Sequence, residues 1–250
     1  MLFVPEELQV HLAFIFFTAI AVYTQNLTGF ALALVLLGLV GFTNIVPLED
    51  AINAVTIVAM VNAAIFLYRR RPIKLEASFR PAIHGSLVGY FVGMGILGLV
   101  SGSSLGLLRT LLGLSIMGCA LLLWRSAKPA DTPYGALRFA SIGAASGILG
   151  GLFSAPGPPL VYAAYRQPWP LKTIQNSLVV CFGIGALLRL VVMGATGQIS
   201  SQAILLGVES LPVVLLITAI GANRKPPISR KVLQHLVCIL LMGSGLGMLF

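Results

Sequence analysis

The residues best suited to chemistry are Ser154, Ala155, Pro156 and Gly157, in the run Gly150-Gly151-Leu152-Phe153-Ser154-Ala155-Pro156-Gly157-Pro158-Pro159. Proline lacks an N–H and clashes with the preceding turn, so Pro156, Pro158 and Pro159 cannot sit inside one continuous helix. Gly157 can take a positive φ without steric cost. Such a break frees backbone N–H groups and presents the positive dipole end of the helix that follows, a combination suited to an anion. Ser154 adds a hydroxyl, and Ala155 and Gly157 add N–H donors. Pro158 and Pro159 donate nothing but suit a first helical turn. The competing interpretation is a tight loop at a membrane surface.

Other polar residues interrupt apolar segments. Gln25, Asn26 and Thr28 supply side-chain donors just before Gly29. Asn53 and Asn176 lie about two turns into their helices, roughly 9 Å deep at about 1.5 Å per residue. Each either packs between helices or faces a substrate. Glu209 stands in mid-segment, where an ionised carboxylate is costly. It either carries a coupling proton or is a neutral acid bonded to a neighbour. Arg189 is expected to snorkel to the outer interface in preference to binding substrate. His84 lies beside a basic loop, and His11 and His235 are isolated, with no carboxylate at ligand spacing. The acids and histidines are scattered, so no catalytic residue, cofactor or metal is assigned. No G-x-x-x-x-G-K-[ST] occurs, so ATP-driven transport would need another subunit. Cys119, Cys181 and Cys238 form no CxxC and are expected to be small packing residues.

The elements that must position these groups follow from composition. The chain of 250 residues is 58% hydrophobic and 9% charged, with mean hydropathy +0.98. Soluble domains carry about 25% charged residues, so this is an all-α polytopic membrane protein. Its N-terminus lacks the basic start of a signal peptide, so no cleavage is expected. Apolar segments are predicted at 8–24, up to about 45, from Pro47 to Tyr68, at 82–100 and at 107–124. The second set comprises 136–153, a stub at 160–166, Pro170 to about 193, 202–220 and 232–250. Several are shorter than the ~20 residues a span needs. The broken pieces are therefore half-helices or re-entrant hairpins, giving roughly eight spans by conventional count.

Charge sets the orientation. All but two of the 16 Lys and Arg fall between apolar segments, at 69–80, 125–138, 166–172 and 224–231. This is the positive-inside pattern and places those loops in the cytoplasm. The same distribution argues against nucleic acid as a partner. Pro47-Leu48-x-x-x-x-Asn53 matches Pro170-Leu171-x-x-x-x-Asn176, and Gly29 falls opposite Gly151 at nearly the same offset. The order of segments, breaks and basic loops also returns. An odd unit of five segments inverts its second copy, so the expectation is one transmembrane domain, 1–250. Its inverted repeats are about 5–124 and 135–250.

The run Ser146-Gly147-Ile148-Leu149-Gly150-Gly151 into Ser154-Ala155-Pro156-Gly157-Pro158-Pro159, the two similar halves and the basic mid-chain loop resemble the sulfite exporter TauE/SafE family of membrane permeases. The resemblance covers nearly the whole chain. It implies transport of sulfite, sulfoacetate or related small anions across the cytoplasmic membrane, with export the expected direction. Uptake or a channel for another small anion is the alternative. The expected partners are the anion and the lipid bilayer, with a homodimer left open. The family's first break is usually glycine-rich. Here it reads Gly29-Phe30-Ala31-Leu32, which implies a less open first half-site.

Overall fold

A computed structural model describes residues 6–100, 105–124, 133–221 and 238–246, the last apart from 240 and 244. Among the described residues the chain is all-α. The helices are α1 (Glu6–Thr28), α2 (Leu32–Thr43), α3 (Leu48–Arg69), α4 (Arg80–Val100), α5 (Leu105–Trp124), α6 (Ala136–Phe153), α7 (Gly157–Tyr165), α8 (Leu171–Ala195) and α9 (Ser201–Gly221). Six described helices, α1, α3, α4, α6, α8 and α9, are long and apolar enough to cross a membrane. Leu12, Phe16, Val88, Leu99, Leu137 and Leu216 are exposed on the outer surface. In water such a surface would aggregate; in a bilayer it is the face that meets lipid. Residues 125–132 and 222–237, which carry many of the predicted cytoplasmic cations, lie outside the described residues, as does His235.

Helix order follows the prolines and breaks. Long α1 ends at a break, short α2 follows, and Pro47 caps α3. Long α6 likewise ends at a break, short α7 follows, and Pro170 caps α8. The two caps share a conformation, with φ and ψ of −54° and 137° at Pro47 and −57° and 140° at Pro170. A proline that precedes the first helical residue has its φ already fixed and no N–H to satisfy.

The densest contact joins α4 to α6 and rests on glycine. Gly85, Gly89 and Gly93 of α4 face the carbonyl oxygens of Ala140, Ala144 and Ile148. In return Gly143, Gly147 and Gly151 of α6 face those of Ala82, Ser86 and Tyr90. A β-carbon at Gly85 or Gly147 would stand 2.0 or 2.1 Å from the opposing oxygen. Small residues at four-residue spacing let membrane helices touch backbone to backbone. Beside this seam the buried Tyr90 ring fills the space left by Gly150 and Gly185. At the other end Trp169 stacks on Phe139, centroids 5.7 Å apart, with Phe79 edge-on to both. Cys119, Cys181 and Cys238 are buried, free thiols.

Candidate functional site

Both chain breaks adopt left-handed backbone. Ser154 closes α6 at φ 55°, its N–H bonded to the Gly150 carbonyl at 2.8 Å. Gly157 opens α7, with Pro158 and Pro159 in its first turn. The first N–H groups of a helix have no intrahelical acceptor, and with Pro158 and Pro159 lacking one, α7 has those of Gly157 and Leu160 to offer. Ser146 Oγ ties down the Pro156 carbonyl from inside α6. The first break turns at Gly29, φ 80°, and again at Ala31, φ 78°. Alanine at positive φ is strained, so the break forms without the extra glycines that would relieve it. Thr28 Oγ1 donates to the Thr24 and Phe30 carbonyls and receives the Phe30 N–H, and the Leu32 N–H bonds Gln25 Oε1 at 3.2 Å.

The two breaks meet across one small, partly open cavity. The first half contributes Gln25 and Ala31–Leu34, the second Ser154–Gly157. Ala59 and Ala63 of α3 and Phe182, Gly183 and Ala186 of α8 complete the wall. Its polar groups therefore come from the breaks and its sides are apolar, the usual composition of a small-ligand site.

The predicted residues divide into three groups. Gln25, Ser154, Ala155, Pro156 and Gly157 line the cavity. Thr28 and Gly29 shape the first break, with Gly29 packed against the Gln175 backbone. Asn26, Asn53 and Asn176 lie off the cavity. Asn26 Nδ2 points to Thr218 Oγ1 of α9 at 3.4 Å, and Asn176 Oδ1 is buried without a hydrogen-bond partner.

Asn53 belongs to a network that the sequence did not reveal. Arg189 does not snorkel: it is 1% exposed and turned inward. Its Nη1 donates to Asn53 Oδ1 at 3.0 Å and to Thr56 Oγ1 at 2.8 Å, and its Nε to the Gly151 carbonyl at 3.3 Å. Thr56 Oγ1 in turn meets Ser154 Oγ at 2.8 Å. Asn53 Nδ2 anchors the group to the Gln198 carbonyl at 3.0 Å, beyond the end of α8. Inward-facing side chains win here because six residues of α8, about 9 Å, separate Arg189 from its end, and three acceptors wait inside. The face shared by Phe182, Ala186 and Arg189, at i, i+4 and i+7, was the available signal.

His11 also needs correction. It is not isolated from carboxylates: Nδ1 lies 2.5 Å from Glu209 Oε2, across the contact of α1 with α9. At the opposite end of the bundle Arg70 is buried, its guanidinium over the Phe66 ring and Nη1 donating to Gln175 Oε1 at 2.7 Å. Burial lowers the Arg70 pKa from its ordinary value, an effect opposed by Tyr165. No group of three or more His, Cys, Asp or Glu able to hold a metal occurs among the described residues.

Comparison with known proteins gives one consistent family. The family model described as "Sulfite exporter TauE/SafE" matches residues 13–248. A protein of Cupriavidus necator titled "Probable sulfite/organosulfonate exporter TauE" is 27% identical over 231 residues, covering 91% of this chain and 89% of the relative. No solved structure matches.

Proposed function

This chain belongs to the sulfite exporter TauE/SafE family, and from that premise we propose that it is a secondary transporter exporting small anions across the cytoplasmic membrane. Sulfite, sulfoacetate and related organosulfonates are the substrate class. The observation that carries this is the cavity bounded by both helix breaks. In a transporter built from repeats, broken helices of the two halves converge on the substrate near mid-membrane. The returning order of α1–α4 in α6–α9 supports two inverted repeats, with short α2 and α7 completing broken segments in a count of eight spans.

In this reading the anion sits at Ser154–Gly157, against the N-terminus of α7, with Gln25 facing it from the first half. Glu209, paired with His11, is the group that carries a coupling proton. The test is uptake into proteoliposomes of sulfite, sulfonates and carboxylates under imposed pH or sodium gradients. Saturable, gradient-driven flux of the sulfur oxyanions is expected, with counterflow. Flux that never saturates would make the protein a channel, and no flux of any of these anions would overturn the reading.

A further inference from the structure

We propose that Arg189 is the positive charge against which the transported anion is held, and that within the proposed substrate class singly charged oxyanions such as hydrogensulfite bind more tightly than dianions such as sulfoacetate. This rests on the cavity being the transport site. Buried charges in proteins are paired. Arg189 is 1% exposed, yet among the described residues no carboxylate lies within ion-pair distance of it. Its contacts are the neutral oxygens of Asn53, Thr56 and Gly151, to which Nη1 and Nε donate.

The position of the charge fits a ligand. Thr56 Oγ1 bridges Arg189 Nη1 to Ser154 Oγ at 2.8 Å on each side, so the guanidinium stands one hydroxyl from the cavity wall. Ala186, one turn before Arg189 on α8, is part of that wall. Asn53, held by the Gln198 carbonyl, fixes the guanidinium from behind. An oxyanion displacing the Thr56–Ser154 contact gains a charge-assisted bond from the guanidinium and one from the Ser154 hydroxyl. Apart from Gln25, the rest of the wall, including Leu32, Leu34, Ala59 and Phe182, is apolar. The described lining holds no second cation, so a further negative charge would meet only neutral groups.

The experiment measures binding to the purified full chain of three probes: methanesulfonate (monoanion), dimethyl sulfone (its neutral isostere) and methanedisulfonate (dianion). Wild type should bind methanesulfonate at least about tenfold more tightly than either of the others. Arg189→Gln should lose at least about tenfold for methanesulfonate while leaving dimethyl sulfone unchanged, and Arg189→Lys should restore methanesulfonate to within a few fold. Equal wild-type affinity for the three probes, or no saturable methanesulfonate binding, overturns the proposal; this arm needs no variant to fold. A monodisperse Arg189→Gln protein that binds methanesulfonate like wild type also overturns it. In that case Gly157→Val separates the two ideas. If it abolishes methanesulfonate binding, the cavity remains the site without Arg189; if it does not, the cavity assignment falls as well.

Discussion

His11 and Glu209, 198 residues apart in the chain, meet at 2.5 Å between α1 and α9. Both side chains are partly exposed, at 23% and 36%. If the pair carries the coupling proton, Glu209→Gln should leave a folded protein whose transport no longer responds to a pH gradient. His11→Ala should weaken the same response. Gradient-driven flux equal to wild type in Glu209→Gln liposomes would assign the pair a purely structural role.

At the cavity, Ser154→Ala removes one donor from the anion. A hydrogen bond to a charged group is worth about 1.5–3 kcal/mol, or roughly a ten- to hundredfold loss of affinity. Gly157→Val should be more severe, since its β-carbon would come within 3.2 Å of Leu34 and narrow the cavity. Sulfite uptake and equilibrium binding, each on monodisperse protein, measure both effects. Wild-type behaviour of the two variants would move the site elsewhere.

The α4–α6 seam makes a stability prediction free of any transport assay. Gly147→Val should lower the thermal midpoint clearly, because overpacking a tight interior costs about 1–3 kcal/mol and here the obstacle is backbone. Gly95→Ala is the control, since nothing lies within 4 Å of a β-carbon there. Equal melting of Gly147→Val and wild type would show that the helices can separate at little cost.

Orientation is tested by labelling. Cys119, Cys181 and Cys238 are buried, so single cysteines introduced in loops give readable signals. Positions in 69–80, 125–135 and 221–231 should react only from the cytoplasmic side, and those in 101–106 and 194–201 only from outside. Labelling of 69–80 and 221–231 from opposite faces would rule out the inverted repeat.

Much of the fold was legible because it depends on local rules. Pro47 and Pro170 mark helix starts, and the run Ser154–Pro159 marks a break, by steric effects within a few residues. Which groups share the site was less legible. Nothing near Asn53 in sequence says that it will hold Arg189, and nothing near His11 announces Glu209. Those partners are set by helix packing, which brings α3 to α8 and α1 to α9. The glycine seam was readable and missed: Gly85, Gly89 and Gly93, like Gly143, Gly147 and Gly151, stand at a spacing that signals close helix contact. It also divides the run that resembles the family. Gly147 and Gly151 serve packing, whereas Ser154–Gly157 face the cavity.

That seam has a mechanical consequence. α4 comes from the first half of the chain and α6 from the second, and their peptide groups interlock with no side chain between them to act as a bearing. Sliding by one residue would drive a carbonyl into a neighbouring α-carbon, so the pair moves as a single keel. The two halves of the chain are thereby held together backbone to backbone along this contact. If the proposed transport holds, opening of the cavity falls to parts smaller than these halves, and short α2 and α7, which start beside the left-handed turns at Ala31 and Ser154, border it.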